Sequence, residues 1–244
     1  MTFLALQAPA SIDWPLRDAD RLLALLATAW PWDVRLALAG ERPVILATLP
    51  AGVDDRRTRW LDTVVRTIAT GSITNDPPPA ADTDLVLDTV RWLATGKRWQ
   101  PLDAEGPGLR LAIPGEHDLP PLAVRPCPTG LRLERPLPLL PLRGAPSVVR
   151  LVAAHAALVL NGTLRAARLA IRDAGALTFA VECVLPPDDP DETELECALE
   201  GVRHAGPYAA GVLECLRNPA VATAYAIAHS LPVPPTDPEH VRGG

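Results

Sequence analysis

With 244 residues, 48% hydrophobic and 21% charged, the chain is long enough for one large domain or two small ones and too apolar for a disordered segment. Its 29 acidic residues outnumber 23 basic ones, leaving a net charge of −6, and no Lys/Arg run offsets this, so nucleic acid is not an expected partner. No stretch reaches the roughly 18 apolar residues of a membrane span. Residues 1–6 lack the positive lead of a secretory signal. The cysteines Cys127, Cys183, Cys197 and Cys215 form no C-x-x-C pair, so a reduced, cytoplasmic setting is expected.

Residues 1–16 read as an irregular lead-in. A helix is predicted from Pro15 to about Ala29, stopped by Pro31, with Leu22, Leu23, Leu25 and Leu26 on its apolar side. Residues 33–39 alternate, with Val34, Leu36 and Leu38 pointing one way and Arg35 the other, which predicts a half-buried strand. A turn at 40–43 and a second strand at 44–49 follow. The next helix runs from the Asp54-Asp55 cap to Ala69 and buries Trp60, Leu61, Val64, Val65 and Ile68. Residues 72–82, with three consecutive prolines, read as a linker. A helix at 83–95 and short strands near 98–102, 109–113, 120–125 and 130–136 come next, then a Pro-rich connector. A helix at 147–160 leads into strands at 167–171 and 176–185, turned at Asp173-Ala174-Gly175. A helix from Asp191 to about His204 is expected to break at Gly206-Pro207, with shorter helices at 208–217 and 219–230 and a frayed tail.

The two ends of the chain share an order: helix, strand, turn, strand, Pro- and Asp-containing loop, helix. Arg35-Leu36-Ala37-Leu38 matches Arg168-Leu169-Ala170-Ile171, and Leu61, Val65 and Ile68 match Leu195, Leu199 and Val202, at offsets of about 133. Such a pattern fits a duplicated unit; it also fits two segments that obey the same burial periodicity. The expected fold is α+β, two αββα-type units with antiparallel sheets packed against helices. The N-terminal unit spans 1–75, a connecting region of helix and short strands at 76–146 is free to complete either sheet, the C-terminal unit with extra helices spans 147–230, and 231–244 form a flexible tail.

The stretch 147–217 resembles the type III secretion chaperone-like fold, and within it the YbjN-type proteins. The residues that carry this are Leu160-Asn161-Gly162, the strand 167–171, the turn 173–175, the strand 177–186 and the acidic start of the helix at 194–199. Residues 17–70 show a weaker version. The resemblance implies a non-enzymatic, chaperone-like adaptor of the bacterial cytosol. Its partner would be another protein or peptide segment, with a homodimer as a second arrangement, and neither membrane nor cofactor is implied.

Chemistry-bearing motifs are sparse. There is no G-x-S-x-G elbow, no HExxH helix and no Gly-rich phosphate loop, so no catalytic or cofactor-binding residue is assigned. His117, between Glu116 and Asp118, reads as a solvent-facing loop residue and is the seed of the rival reading, an enzyme or small-molecule binder. His155 falls in an apolar helix and reads as a satisfied core or edge residue. Cys197 and His204 share a helix face, but with Cys215 they make a poor zinc set, and buried thiols are expected instead. Asp188, Asp189, Asp191, Glu192, Glu194 and Glu196 suit a helix N-terminus better than a calcium loop. Six tryptophans lie at 14, 30, 32, 60, 92 and 99, all in the first half. Trp14, Trp30 and Trp32 are the candidate partner-binding residues, because Trp joins a large apolar face to a donor. A structural subunit of a larger assembly is the third possibility.

Overall fold

A computed structural model describes residues 3–9, 19–27, 34–39, 42–50, 55–69, 83–102, 108–127, 130–139, 141–173, 177–185 and 191–232. Trp14, Trp30 and Trp32, the linker at 72–82, the turn at 174–176, the loop at 186–190 with Asp188 and Asp189, and the tail beyond 232 lie outside the described residues, as do the side chains of Trp60 and Ile68. The architecture is α+β, with two antiparallel sheets and six helices among the described residues. No helix among them is long and apolar enough to cross a membrane.

The first sheet holds β1 (Phe3–Pro9), β2 (Arg35–Ala39) and β3 (Arg42–Pro50) in the order β1-β3-β2. Part of the expected irregular lead-in is therefore a strand, β1, which pairs along its whole length with β3. The helices α1 (Ala19–Leu26) and α2 (Asp55–Ala69) flank the β2–β3 hairpin in sequence. Leu36, Leu38, Ile45 and Ala47 face the main core with Leu61 and Val65 of α2. Arg35 points to the opposite face, as its alternation requires, yet it is only 1% exposed: β2 is buried on both faces rather than half-buried.

After α3 (Thr83–Gly96), the strands β4 (Gln100–Leu102), β5 (Leu109–Ala112), β6 (Leu122–Cys127) and β7 (Gly130–Pro136) form an antiparallel meander. It continues into the later hairpin, β8 (Arg168–Asp173) and β9 (Thr178–Leu185), giving one six-stranded sheet in the order β4-β5-β6-β7-β9-β8. The middle strands thus extend the second hairpin. Leu109, Leu111, Leu122, Val124, Leu131 and Leu133 alternate onto the core face.

The helix α4 (Ser147–Thr163) is buried almost all round, from Val149 to Asn161. A helix without a polar face must be covered on every side, and α1, β2, β8, α5 (Glu192–Cys215) and α6 (Pro219–Ala228) supply that cover. Asp191 and Glu194 close a reciprocal capping box at the start of α5, the role expected for these acids. The expected break at Gly206-Pro207 does not occur, and α5 runs through Pro207 to Cys215. Pro207 is exposed, whereas Leu199, Val202, Ala205, Ala209 and Leu213 continue one buried stripe across it. Each large buried side chain contributes about 1.5–3 kcal/mol, so the stripe outweighs the roughly 3 kcal/mol a mid-helix proline costs.

A polar seam joins the two hairpins. Asn161, fully buried, donates Nδ2 to the carbonyls of Leu36 (3.2 Å) and Leu169 (3.2 Å), and its Oδ1 accepts the Leu169 N–H (2.7 Å). Arg35 donates to the carbonyls of Asn161 (2.7 Å) and Leu164 (2.6 Å), where the negative end of α4 favours a cation. Arg168 donates back to the Val34 carbonyl (2.5 Å) and pairs with Glu182. The Leu36 carbonyl on the edge strand β2 and both backbone groups of Leu169 on the edge strand β8 are thereby paired by one side chain.

Candidate functional site

A groove of about 690 Å³ lies between the end of α4 at Thr163, with Leu164 and Arg165 after it, and one face of α5. That face presents Cys197, Gly201, His204 and Tyr208, residues three or four apart that stack along one side of a helix. Gly201 sets how closely the two walls meet: a Cβ there would lie 2.6 Å from the Ala166 carbonyl and 2.7 Å from that of Arg165. Only glycine permits this approach without moving the backbone.

Charges gather along one rim. Lys97, just past the end of α3, holds Glu196 (2.6 Å) and Glu200 (3.0 Å). Glu200 also takes Arg203 Nε (2.7 Å), with His204 Nε2 at 3.3 Å. Burial pushes the Glu200 carboxyl up, but the hydrogen bonds from Arg203 and Lys97 outweigh it and hold the group below its ordinary value. Burial likewise works against the Lys97 charge, and its two glutamates reverse the effect, leaving its pKa raised. Arg203 reaches on to Glu116 (3.7 Å), which contacts Arg135. The network ties α3, α5, β7 and the 114–120 turn together.

Cys197 is buried, and burial, aided by Glu196, Asp191 and Glu194, pushes its thiol up to about 11. A protonated thiol is a poor nucleophile and a poor metal ligand. The groove therefore offers shape, apolar wall and a charged rim. Neither a protein family, nor a curated protein, nor a solved structure matches this chain.

Of the residues singled out in the sequence, Cys197 and His204 do share the groove, while Cys215 is exposed and does not line it. Among the described residues no three His, Cys, Asp or Glu side chains converge as a metal site. His117 and Asp118 are exposed, and their neighbour Glu116 is engaged by Arg135 and Arg203 rather than by a histidine. His155 is buried at 7% exposure and meets Tyr225 Oη at 3.1 Å, with the His229 ring 5.4 Å away. Burial, and then His229, lower its pKa to about 4, so it is neutral at pH 7.

Trp92 is exposed, which its immediate sequence context does not announce. It is 63% exposed, and Leu85, seven residues earlier on the same side of α3, is 60% exposed. The signal was present: Leu85 and Trp92 fall on the side of α3 opposite Val86, Val90, Leu93 and Ala94, where polar residues belong. Trp99, by contrast, is a core residue.

Proposed function

We propose that the chain is a non-enzymatic, chaperone-like adaptor of the bacterial cytosol that holds a segment of another protein. The observation that carries this reading is the groove beside α5, open to solvent along Tyr208, which is 57% exposed. Exposed aromatic and aliphatic side chains beside an apolar recess are what a helix or loop of a partner needs to anchor itself. Trp92 with Leu85 on α3 supplies a second exposed apolar pair. The groups that would perform chemistry are engaged otherwise: Cys197 keeps its proton, Glu200 is ion-paired, and His155 is closed off by Tyr225.

The reading includes descent from a duplicated αββα unit of YbjN type. Supporting it, α1-β2-β3-α2 and α4-β8-β9-α5 share one order. Each first strand also opens on a buried arginine, Arg35 or Arg168, that donates to backbone of the other half.

The test is photo-crosslinking in the source cell, with benzoylphenylalanine replacing Tyr208 and, as control, the exposed Arg143. One discrete protein adduct at position 208 and none at 143 is expected; equal or absent adducts overturn the adaptor. The groove volume also lies in the 300–1,000 Å³ range of small-molecule sites. That second reading predicts a metabolite that raises the melting temperature and is lost in Gly201→Val, without any protein adduct.

A further inference from the structure

We propose that the outer face of the six-stranded sheet binds an acidic, extended segment of a partner protein. This face lies opposite the one covered by α5, so it is separate from the groove. Strand register places Arg110, Arg125, Arg132, Glu134, Glu182 and Arg168 on it. Arg172 reaches onto it to pair with Glu134 (3.3 Å) and to contact Glu182. Arg168 and Glu182 are buried and pair with each other, so this face offers solvent Arg110, Arg125, Arg132 and Arg172 against Glu134, on a chain whose net charge is −6.

The arrangement is costly without an anion. Arg125 stands directly opposite Arg132 across the β6–β7 pair, and like charges at that position repel. Arg132 has Glu182 at 3.7 Å to answer it. Arg125 is exposed and Arg110 half-buried, and neither forms an ion pair among the described residues. Arg110 and Arg125 thus keep unmatched guanidinium groups where the sheet meets solvent.

The spacing selects the shape of the ligand. Arg110 lies in the row that crosses Ala123 and Glu134, and Arg125 lies in the row two residues along β6, with Arg132. Two residues of strand span about 6.6–6.8 Å, the same distance that separates alternate side chains in an extended peptide. Glu or Asp at positions i and i+2 of a segment laid along the strands would meet both rows. Fork-shaped guanidinium groups suit carboxylates at such sites. The chain's overall negative charge opposes a polyphosphate at long range but acts weakly on a short segment that samples this face alone.

The experiment uses the full chain and fluorescence anisotropy with a labelled ten-residue peptide alternating Glu and Thr. Its uncharged counterpart alternates Gln and Thr, and a ten-nucleotide deoxythymidine strand is the third probe. Saturable binding of the Glu peptide alone is expected, weakened at least about tenfold by 0.3 M NaCl and by Arg110→Gln/Arg125→Gln. Binding should be unchanged in Tyr208→Ala, which separates this face from the groove. Circular dichroism confirms folding of the double variant, which removes two side chains without ion pairs. No saturable binding, equal binding by the double variant, or tighter binding of the nucleotide strand overturns the proposal.

Discussion

Replacing Asn161 tests the seam at its centre. Its side chain is fully buried and satisfies three backbone groups at once, the carbonyls of Leu36 and Leu169 and the N–H of Leu169. Asn161→Leu fills similar space and leaves all three unpaired. Each stranded group costs about 1–3 kcal/mol, so the loss should be roughly 3–9 kcal/mol, a large part of the 5–15 kcal/mol that holds a typical domain folded. With a urea slope of about 2–3 kcal/mol/M, the unfolding midpoint should fall by roughly 1–4.5 M. Asn161→Asp sharpens the test. It keeps the acceptor for Leu169 N–H but aims a second oxygen at two carbonyls and buries a charge. Burial raises the folded-state pKa of this carboxyl above the usual carboxylate range, and protonation returns one donor, so the deficit of this variant should shrink as the pH falls from 7 toward 4. Urea unfolding followed by circular dichroism at pH 4 and pH 7 reads both effects. A loss below about 0.5 kcal/mol in Asn161→Leu, the size of an ordinary surface change, would refute the seam as a structural necessity.

Other expectations follow from single contacts. The pKa of His155 is depressed from 6.5 to about 4, so the unfolded chain takes up its proton first. Its contribution is complete above pH 6.5 and is lost as the pH falls toward 4, about 2 kcal/mol being gone by pH 5. His155→Phe should flatten that part of the stability–pH curve, and an unchanged slope would contradict the burial against Tyr225 and His229. Gly201→Val forces a side chain against the Ala166 and Arg165 carbonyls and should cost about 1–3 kcal/mol, seen as a lower melting temperature. At pH 8 the exposed Cys215 should react with a thiol reagent long before Cys197, whose buried thiol holds its proton. Mass-spectrometric mapping of the first labelled cysteine decides this.

The regular elements were largely legible because their periodicity is local. Val34, Leu36 and Leu38 gave β2, the alternation of Leu131 and Leu133 gave β7, and the Asp191 cap gave the start of α5. The strand β1 was hidden by its composition: Phe3, Leu4, Ala5 and Leu6 are apolar without a break, so no period of two shows. Pro207 misled because proline chemistry is local, whereas the buried stripe that carries α5 through it is a property of the assembled core. The seam was illegible for a related reason. Arg35 and Asn161 meet across 126 positions, and nothing beside either residue announces the other. For the groove, the spacing of Cys197, His204 and Tyr208 was readable, but its second wall, Thr163 to Arg165, belongs to a different element.

The cover that α4 gives to β2 has a consequence for how the protein is made. The hairpin at 35–50 leaves the ribosome nearly a hundred residues before the helix that shields part of it. A nascent chain must carry that apolar strand through most of synthesis, and a product truncated at the Pro-rich connector keeps it uncovered for good. Severed at that connector, the two pieces would be poor solitary proteins, yet natural complements when produced together.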